Sequence, residues 1–176
     1  MYFVIQVKNT QEEATIKKIK ESIPSSLLKD VFSPKYTTNI KIRGQFKQTV
    51  KECFPGYIFI ETDDPGEVFK RLYFIPAFTM LLGKSSDNET FLPLNELEER
   101  MIRILYNKED DHTTKISKVN FQEGMKIVVL SGPLLGQEGN IKKIDLHKRL
   151  ATIPITVCGR SCDVKLGFDI ISEKFN

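Results

Sequence analysis

The sequence has no tryptophan, only two histidines and three cysteines, and no long apolar run. No segment approaches the roughly 18 consecutive apolar residues that a membrane-spanning helix needs. The N-terminal stretch "MYFVIQVKNT" also lacks the basic, apolar and small-residue regions of a signal peptide. We therefore expect a cytoplasmic protein without a membrane partner.

The few sulfur and imidazole side chains give little basis for catalysis or metal binding. Cys53, Cys158 and Cys162 are odd in number and form no C-x-x-C pair, which favours buried or idle thiols over a disulfide or a metal site. His112 and His147 have no evident cysteine or carboxylate partner in the sequence. We expect no catalytic residue, no metal and no cofactor, and so a protein that is not an enzyme.

The charge is nearly balanced in number but not in position. The net charge of +3 is too small to indicate a nucleic-acid partner by itself. Between residues 29 and 51, however, six cations face a single acid, Asp30, and a second basic group surrounds residues 142–149. Each group is either a solvated surface or a set of phosphate contacts. If these groups, with two later cations of the second domain, contact phosphates, the RNA-binding residues are Lys35, Lys41, Arg43, Lys47, Lys142, Lys143, Lys148, Arg149, Arg160 and Lys165.

The first 106 residues alternate between strand and helix patterns. "YFVIQV" predicts a buried strand, and Thr10 with Glu13 predicts a capping box at the start of a helix. A long strand pair around Arg43-Gly44 follows, then the strand "YIFIE", a helix beginning at Asp64-Pro65, the strand "AFTMLLG" and a helix capped by Asn95 and Glu98. This order predicts an α+β sandwich with one mainly antiparallel sheet.

Residues 107–118 separate this domain from a different pattern. Eleven of these twelve residues are polar, so we expect a flexible linker. Residues 119–176 contain several short alternating strands with frequent turn signals, which is typical of a small all-β barrel.

A glycine-rich stretch, "GPLLGQEGNIKKID", begins at Gly132 in the second domain. It lacks the Lys-Ser/Thr pair and the following helix that a phosphate-binding loop needs. The glycines instead predict tight turns: Gly132-Pro133 ends one strand, while Gly136 and Gly139 allow positive φ or a close approach of strands.

Two stretches, taken together, resemble the NusG family of transcription elongation factors. They are "FPGYIFIE" in the first domain and "FQEGMKIVVLSGPLLGQEGNIKKID", which is similar to the KOW motif, in the second. "YFVIQV" and "VCGRSCDVKLGFDII" resemble the family's opening and closing strands. The resemblance implies an RNP-like N-terminal (NGN) domain over residues 1–106, joined flexibly to an SH3-like KOW barrel over residues 119–176. The implied partners of a monomer are the clamp helices of bacterial RNA polymerase, a nascent RNA hairpin and non-template DNA.

The resemblance also implies an aromatic surface for RNA polymerase in the first domain. We expect Phe54 to be its most exposed member, because Phe54 precedes the Pro55-Gly56 turn, whereas alternation turns some of the others inward. The residues assigned to this surface are Tyr2, Phe3, Phe54, Tyr57, Phe59 and Phe78, with Phe74 as a further candidate.

One departure from the family pattern indicates a specialised member. Cys158 occupies the position of a large aromatic residue with which general NusG factors engage Rho and ribosomal protein S10. Together with the basic groups, this resembles the LoaP-type antiterminators, which implies recognition of a structured leader RNA and read-through of terminators in specific operons. "LATIPITV" and "SCDVKL" favour a stable barrel over the refolding second domain of RfaH. Two alternatives stay open: a general factor that couples polymerase to Rho or S10, and a KOW protein of ribosome assembly.

Overall fold

A computed structural model of the chain describes residues 1–76, 78–81, 92–106, 108–122 and 126–171. The chain forms two compact units, neither of which is continuous in sequence. The first unit contains Met1–Pro34, Phe54–Arg103 and Thr156–Arg160, and the second contains Lys35–Cys53, Ile104–Ile155 and Ser161–Asn176.

The described elements agree with the expected α+β class. In chain order they are β1 (Tyr2–Val7), α1 (Glu12–Ser22), β2 (Asp30–Phe32), β3 (Lys35–Ile42), β4 (Gln45–Glu52), β5 (Tyr57–Glu61), α2 (Pro65–Leu72), β6 (Phe78–Leu81), α3 (Glu96–Leu105), a 3₁₀ turn (Lys108–Asp110), β7 (Thr113–Thr114), β8 (Ser117–Gln122), β9 (Lys126–Ser131), a 3₁₀ turn (Glu138–Asn140), β10 (Lys143–Asp145), β11 (Leu150–Val157) and β12 (Arg160–Ile170).

The first unit is built on a sheet of order β2-β5-β1-β6, in which β5 pairs antiparallel with both β1 and β2. Successive side chains of a strand point to opposite faces of the sheet. One face of β1 and β5 therefore joins α1 and α2 in a core of twelve buried apolar residues, which includes Phe3, Ile19, Ile60 and Phe69. Burial of this core is the main stabilising contribution to the unit.

Two of the three predicted helix starts are confirmed. The Asp64 carboxylate accepts a hydrogen bond from the Glu67 backbone N–H at 3.1 Å. Asn95 and Glu98 form a reciprocal capping box, each side chain accepting from the other's backbone N–H at 3.0 Å. The capping box predicted for α1 is wrong: Thr10 has a φ of 69°, and Gln11 precedes the helix without a side-chain cap.

The second unit contains two sheets. The larger has the order β10-β11-β12-β8-β9 and encloses a core that includes Val119, Ile153, Leu166 and Phe168. The smaller has the order β4-β3-β7, with β3 and β4 joined by the predicted turn at Arg43-Gly44. Both turn residues have positive φ, 48° and 85°, as a two-residue type I′ turn requires. After the glycine-rich turns, Glu138–Asn140 form a 3₁₀ turn and Lys143–Asp145 form a short strand.

Residues 108–118 have regular structure, which differs from the expected linker pattern. Thr113–Thr114 pairs in parallel with the start of β3, and His112, Thr114 and Ser117 are buried. His112 Nδ1 lies 3.0 Å from the Tyr106 carbonyl oxygen. Polar residues can be buried when their hydrogen-bonding groups are paired, so the polar composition of this segment is compatible with regular structure. That residues 1–106 and 119–176 fold as separate, flexibly joined domains stays a prediction.

The glycine-rich stretch forms turns, although its glycines differ in role. Gly132 has a φ of 95°, and a side chain there would place its Cβ 2.6 Å from the Cα of Ser117. Gly136 has the predicted positive φ. Gly139 meets neither expectation, since its φ is not positive and no heavy atom lies within 4 Å of a Cβ built there. Only Gly132 is thus required by a close approach of two chain segments.

Candidate functional site

Four aromatic rings line the face of the first unit's sheet opposite the α1–α2 core. We call Tyr2, Phe32, Phe54 and Phe59 the aromatic sheet face. Tyr2 and Phe32 pack edge to face at 5.8 Å between ring centroids, Phe32 and Phe59 stack at 5.6 Å, and Phe54 tilts against Phe59 at 5.6 Å. Pairs of this kind contribute about 0.5–1.5 kcal/mol each beyond the area that they bury. The four rings therefore form a continuous packed cluster.

The six residues assigned to RNA polymerase do not share one exposed surface. Tyr2, Phe54 and Phe59 belong to the buried aromatic sheet face, and Phe3 lies in the opposite core, edge to face with Phe69 at 5.4 Å. Tyr57 is half-buried, and the side chain of Phe78 lies outside what the structure describes.

The expectation that Phe54 is exposed is wrong, because only 4% of its surface is accessible. Gly56, with a φ of 84°, reverses the chain after Pro55, and the Tyr57 N–H donates to the Phe54 carbonyl at 3.0 Å. This tight turn folds Phe54 inward against Phe59. Among the side chains of this unit that the structure describes, the exposed aromatics are Tyr73 and Phe74, at 63% and 87% exposure, directly after α2.

Arg103 is part of this site, although no sequence pattern indicated it. Its guanidinium lies 4.6 Å from the centroid of the Tyr2 ring and forms ion pairs with Glu61 at 2.7 Å and Glu99 at 2.9 Å. Burial, followed by the nearby Glu61 charge, raises the pKa of Tyr2 to about 12. The hydrogen bonds that the Arg103 guanidinium donates to the carboxylates of Glu61 and Glu99 raise the pKa of Arg103. At neutral pH the site therefore combines a neutral phenol with a fixed cation.

The second unit presents an exposed two-stranded ribbon, residues 35–52, which we call the basic ribbon. Residues 35–51 of it contain five cations and no acid. The side chains of Lys41, Arg43 and Lys47 are exposed, and none of the three forms an ion pair with any residue that the structure describes. Lys35, at the base of the ribbon, is half-buried. Lys41, Arg43 and Lys47 therefore give the ribbon a concentrated positive surface.

The other predicted RNA-binding cations lie on or beside strands β10, β11 and β12. Lys143 and Lys148 are exposed and Arg149 is half-buried. Lys142 differs from them, because its Nζ lies 2.6 Å from a carboxylate oxygen of Asp163. Lys165 is exposed on β12, whereas Arg160 clusters with the first unit. Nine of the ten predicted residues thus fall in one compact unit.

Hydrogen bonds join the basic ribbon to this edge within the second unit. Thr38 Oγ1 donates to the Lys148 carbonyl at 3.2 Å, and Asn39 Nδ2 donates to Asp169 Oδ1 at 2.8 Å. Gly167 of β12 lies so close to β3 that a Cβ on it would collide with the Thr37 carbonyl oxygen. The ribbon and the turn that carries Lys148 and Arg149 are consequently neighbours, although more than a hundred residues separate them in sequence.

The described cysteines and histidines supply no catalytic constellation. Burial raises the pKa of the Cys53 thiol to about 12, so the reactive thiolate is absent at neutral pH. None of the three cysteines is in a disulfide, and His147 lies in an exposed turn as expected. Within the described ranges, no group of three or more His, Cys, Asp or Glu residues could hold a metal ion. No helix in the part of the chain that the structure describes is long and apolar enough to cross a membrane.

Comparison with known proteins assigns the chain to a family. A family model described as "Transcription termination factor nusG" matches residues 1–105. The chain is 21% identical to the transcription termination/antitermination protein NusG of Pasteurella multocida over 99% of this chain and 95% of that protein. It is 29% identical to the Staphylococcus aureus protein of the same name over 74% of this chain and 69% of the relative.

A solved structure supports the fold over nearly the whole chain. It is described as "Domain interaction in Thermotoga maritima NusG" and has a TM-score of 0.56 at 21% identity, covering 94% of this chain and 92% of that one. Since the family model spans more than half of the residues and the fold agrees, the chain belongs to the NusG family of transcription factors.

Proposed function

We propose that this protein is a cytoplasmic antitermination factor of specific operons within the NusG family. Its N-terminal domain binds RNA polymerase, and its basic surfaces bind a structured leader RNA, which promotes read-through of terminators. Family membership supports the broader role in transcription termination and antitermination, carried out by a binding protein rather than an enzyme. The leader RNA and the restriction to specific operons are our extension.

The observation that carries this proposal is the union of two basic groups in one unit. The hydrogen bond from Thr38 to the Lys148 carbonyl brings the basic ribbon beside the Lys148-Arg149 turn. Phosphates attract such cations without regard to sequence, and structured RNA is recognised largely through backbone and shape.

Cys158 favours the specialised role over the general one. It lies in a two-residue turn, Cys158-Gly159, between β11 and β12, where it is half-buried with a φ of 50°. A cysteine offers far less apolar contact area than an aromatic anchor, and such anchors dominate the energy of protein interfaces. We therefore expect weak engagement of Rho and ribosomal protein S10.

Replacing Lys143, Lys148 and Arg149 together by glutamine should flatten the salt dependence of RNA binding. Each lost phosphate contact lowers the slope of log affinity against log salt by about 0.7–0.9, so a reduction of about 2 to 3 is expected. Lys142→Gln alone should change the slope less than Lys143→Gln, because Asp163 already neutralises Lys142. Titration of a hairpin RNA at several salt concentrations measures the slopes.

The matched control replaces Lys17, Lys18 and Lys20 of α1, which are exposed in the first unit. It removes the same formal charge at a surface with no assigned RNA contact. If both triple variants flatten the slope equally, the effect reports net charge and not a site, and the RNA-binding assignment is wrong.

Retention of core RNA polymerase should depend on Tyr57. This half-buried residue is the accessible member of the predicted polymerase-binding set among the side chains that the structure describes. We expect Tyr57→Ala to weaken retention about 5- to 30-fold, as loss of an interface aromatic typically does. Pull-down of RNA-free core enzyme by the tagged protein measures this.

Phe46→Ala provides the control for that experiment, because Phe46 is an exposed aromatic of the basic ribbon with no assigned polymerase contact. It should retain polymerase as the unmodified protein does. Failure of the unmodified protein to retain polymerase would contradict the proposed function, and equal losses in both variants would contradict the assigned surface.

A further inference from the structure

The basic ribbon exposes apolar side chains as well as cations. Ile42, Phe46 and Val50 are 46%, 56% and 51% exposed. Exposed phenylalanine is costly, since a fully buried side chain of this kind gains about 1.5–3 kcal/mol over an exposed one. An exposed aromatic ring among cations therefore indicates a surface that binds a ligand.

The register of the ribbon shows how these side chains are arranged. Lys41 pairs directly with Phe46 across the two strands, and the Lys41 Nζ lies 6.0 Å from the centroid of the Phe46 ring. Because side chains alternate along a strand, Phe46 and Val50 share one face of β4, while Lys47 and Lys51 lie on the other. The Phe46 ring therefore has Lys41 beside it, and Lys47 and Lys51 lie on the opposite face of the same strand.

Charge complementarity selects the class of ligand. Residues 35–51 carry five cations without an acid, which suits a polyanion. Single-stranded nucleic acids are bound by this combination of elements, with cations that follow the backbone and aromatic rings on which bases stack. A duplex would satisfy the cations but would offer the ring no accessible base face.

We propose that Phe46 is a stacking platform for an unpaired nucleobase of the bound nucleic acid. The proposal rests on the proposed nucleic-acid-binding function and extends it, because it requires the ligand to present an unpaired base and not only phosphates. The base belongs either to the loop of an RNA hairpin or to single-stranded DNA. Lys41 holds the adjoining phosphate.

The test uses the full-length protein and an RNA hairpin whose loop contains 2-aminopurine, a base whose fluorescence falls on stacking. The other probes are a blunt RNA duplex with the stem sequence and a single-stranded DNA with the loop sequence. Phe46→Ala removes the ring, Phe46→Tyr retains it, and Val50→Ala is the matched control, an exposed apolar residue on the same face.

Phe46→Ala should weaken binding of the hairpin about 5- to 150-fold and abolish the fluorescence change. Phe46→Tyr should preserve both, Val50→Ala should alter affinity no more than about twofold, and duplex binding should not change. Tighter binding of the RNA hairpin than of the DNA strand, or the reverse, identifies the source of the base.

Three outcomes would overturn the proposal. Equal loss of hairpin and duplex affinity in Phe46→Ala would show that the ring supports the fold of the ribbon and not a base. Unchanged hairpin affinity in Phe46→Ala, while the Lys143, Lys148 and Arg149 variant loses binding, would reject stacking but leave the proposed function standing. If the unmodified protein bound none of the probes at physiological salt, both would fail, and an acidic protein would become the occupant of the ribbon.

Discussion

Alanine in place of Gly167 is expected to lower the melting temperature by on the order of 2 to 12 °C. The new Cβ would collide with the Thr37 carbonyl oxygen and crowd the neighbouring backbone atoms of Thr37 and Thr38. Backbone cannot rotate away as the end of a flexible side chain can, so β12 and β3 must separate. Thermal unfolding followed by circular dichroism measures the change.

Hydrogen exchange should locate the damage at the junction that Gly167 occupies. The amides of β3 should exchange faster in the variant, because separation of β12 from β3 also lengthens the bonds from Thr38 to the Lys148 carbonyl and from Asn39 to Asp169. Gly139→Ala is the matched control, as it adds the same methyl group where no heavy atom lies within 4 Å. Equal melting temperatures for both variants would show that the ribbon does not pack on β12.

Phe59→Ala should destabilise the protein by about 3–5 kcal/mol, the usual cost of deleting a fully buried aromatic side chain. Phe59 is fully buried and packs against both Phe32 and Phe54, so its removal takes one ring contact from each of them and leaves a cavity. Urea denaturation followed by far-ultraviolet circular dichroism gives the free energy of unfolding.

Phe74→Ala serves as the comparison, because Phe74 is 87% exposed and should change stability by no more than about 0.5 kcal/mol. A loss below 1 kcal/mol for Phe59→Ala would contradict the packed aromatic cluster. The expected loss also affects the design of binding experiments: alanine at Phe54 or Phe59 perturbs folding, whereas Tyr57→Ala reports on the surface.

The features that the sequence predicted correctly depend on neighbours along the chain. Asp64 caps α2 through Glu67, three residues later, and Asn95 pairs with Glu98 at the same spacing. The Arg43-Gly44 turn likewise follows from two adjacent residues whose positive φ fits a hairpin. In each case the two residues involved are at most three positions apart, so a short stretch of sequence contains the whole interaction.

The features that were missed depend on how the chain folds back on itself. Phe54 is buried because the chain reverses after it and brings its ring against Phe59. Arg103 belongs to the site because its guanidinium contacts the Tyr2 ring and pairs with Glu61. His112 is buried through Tyr106 and the start of β3. Rules based on composition or periodicity do not predict these contacts. The two basic groups of the proposed nucleic-acid site could be predicted from the sequence, but their position side by side depends on the contact between Thr38 and Lys148.

The position of β4 at the edge of the sheet of order β4-β3-β7 has a consequence for handling the protein. An edge strand exposes a row of backbone donors and acceptors that can pair with another chain, and lysines are a common protection against such aggregation. Lys47 and Lys51 of β4 are exposed beside Phe46 and Val50. These cations therefore also protect β4 against aggregation. A variant that neutralises them should carry a protective glutamate or proline elsewhere on the strand, or be studied at low protein concentration. Precipitation is then not mistaken for lost binding.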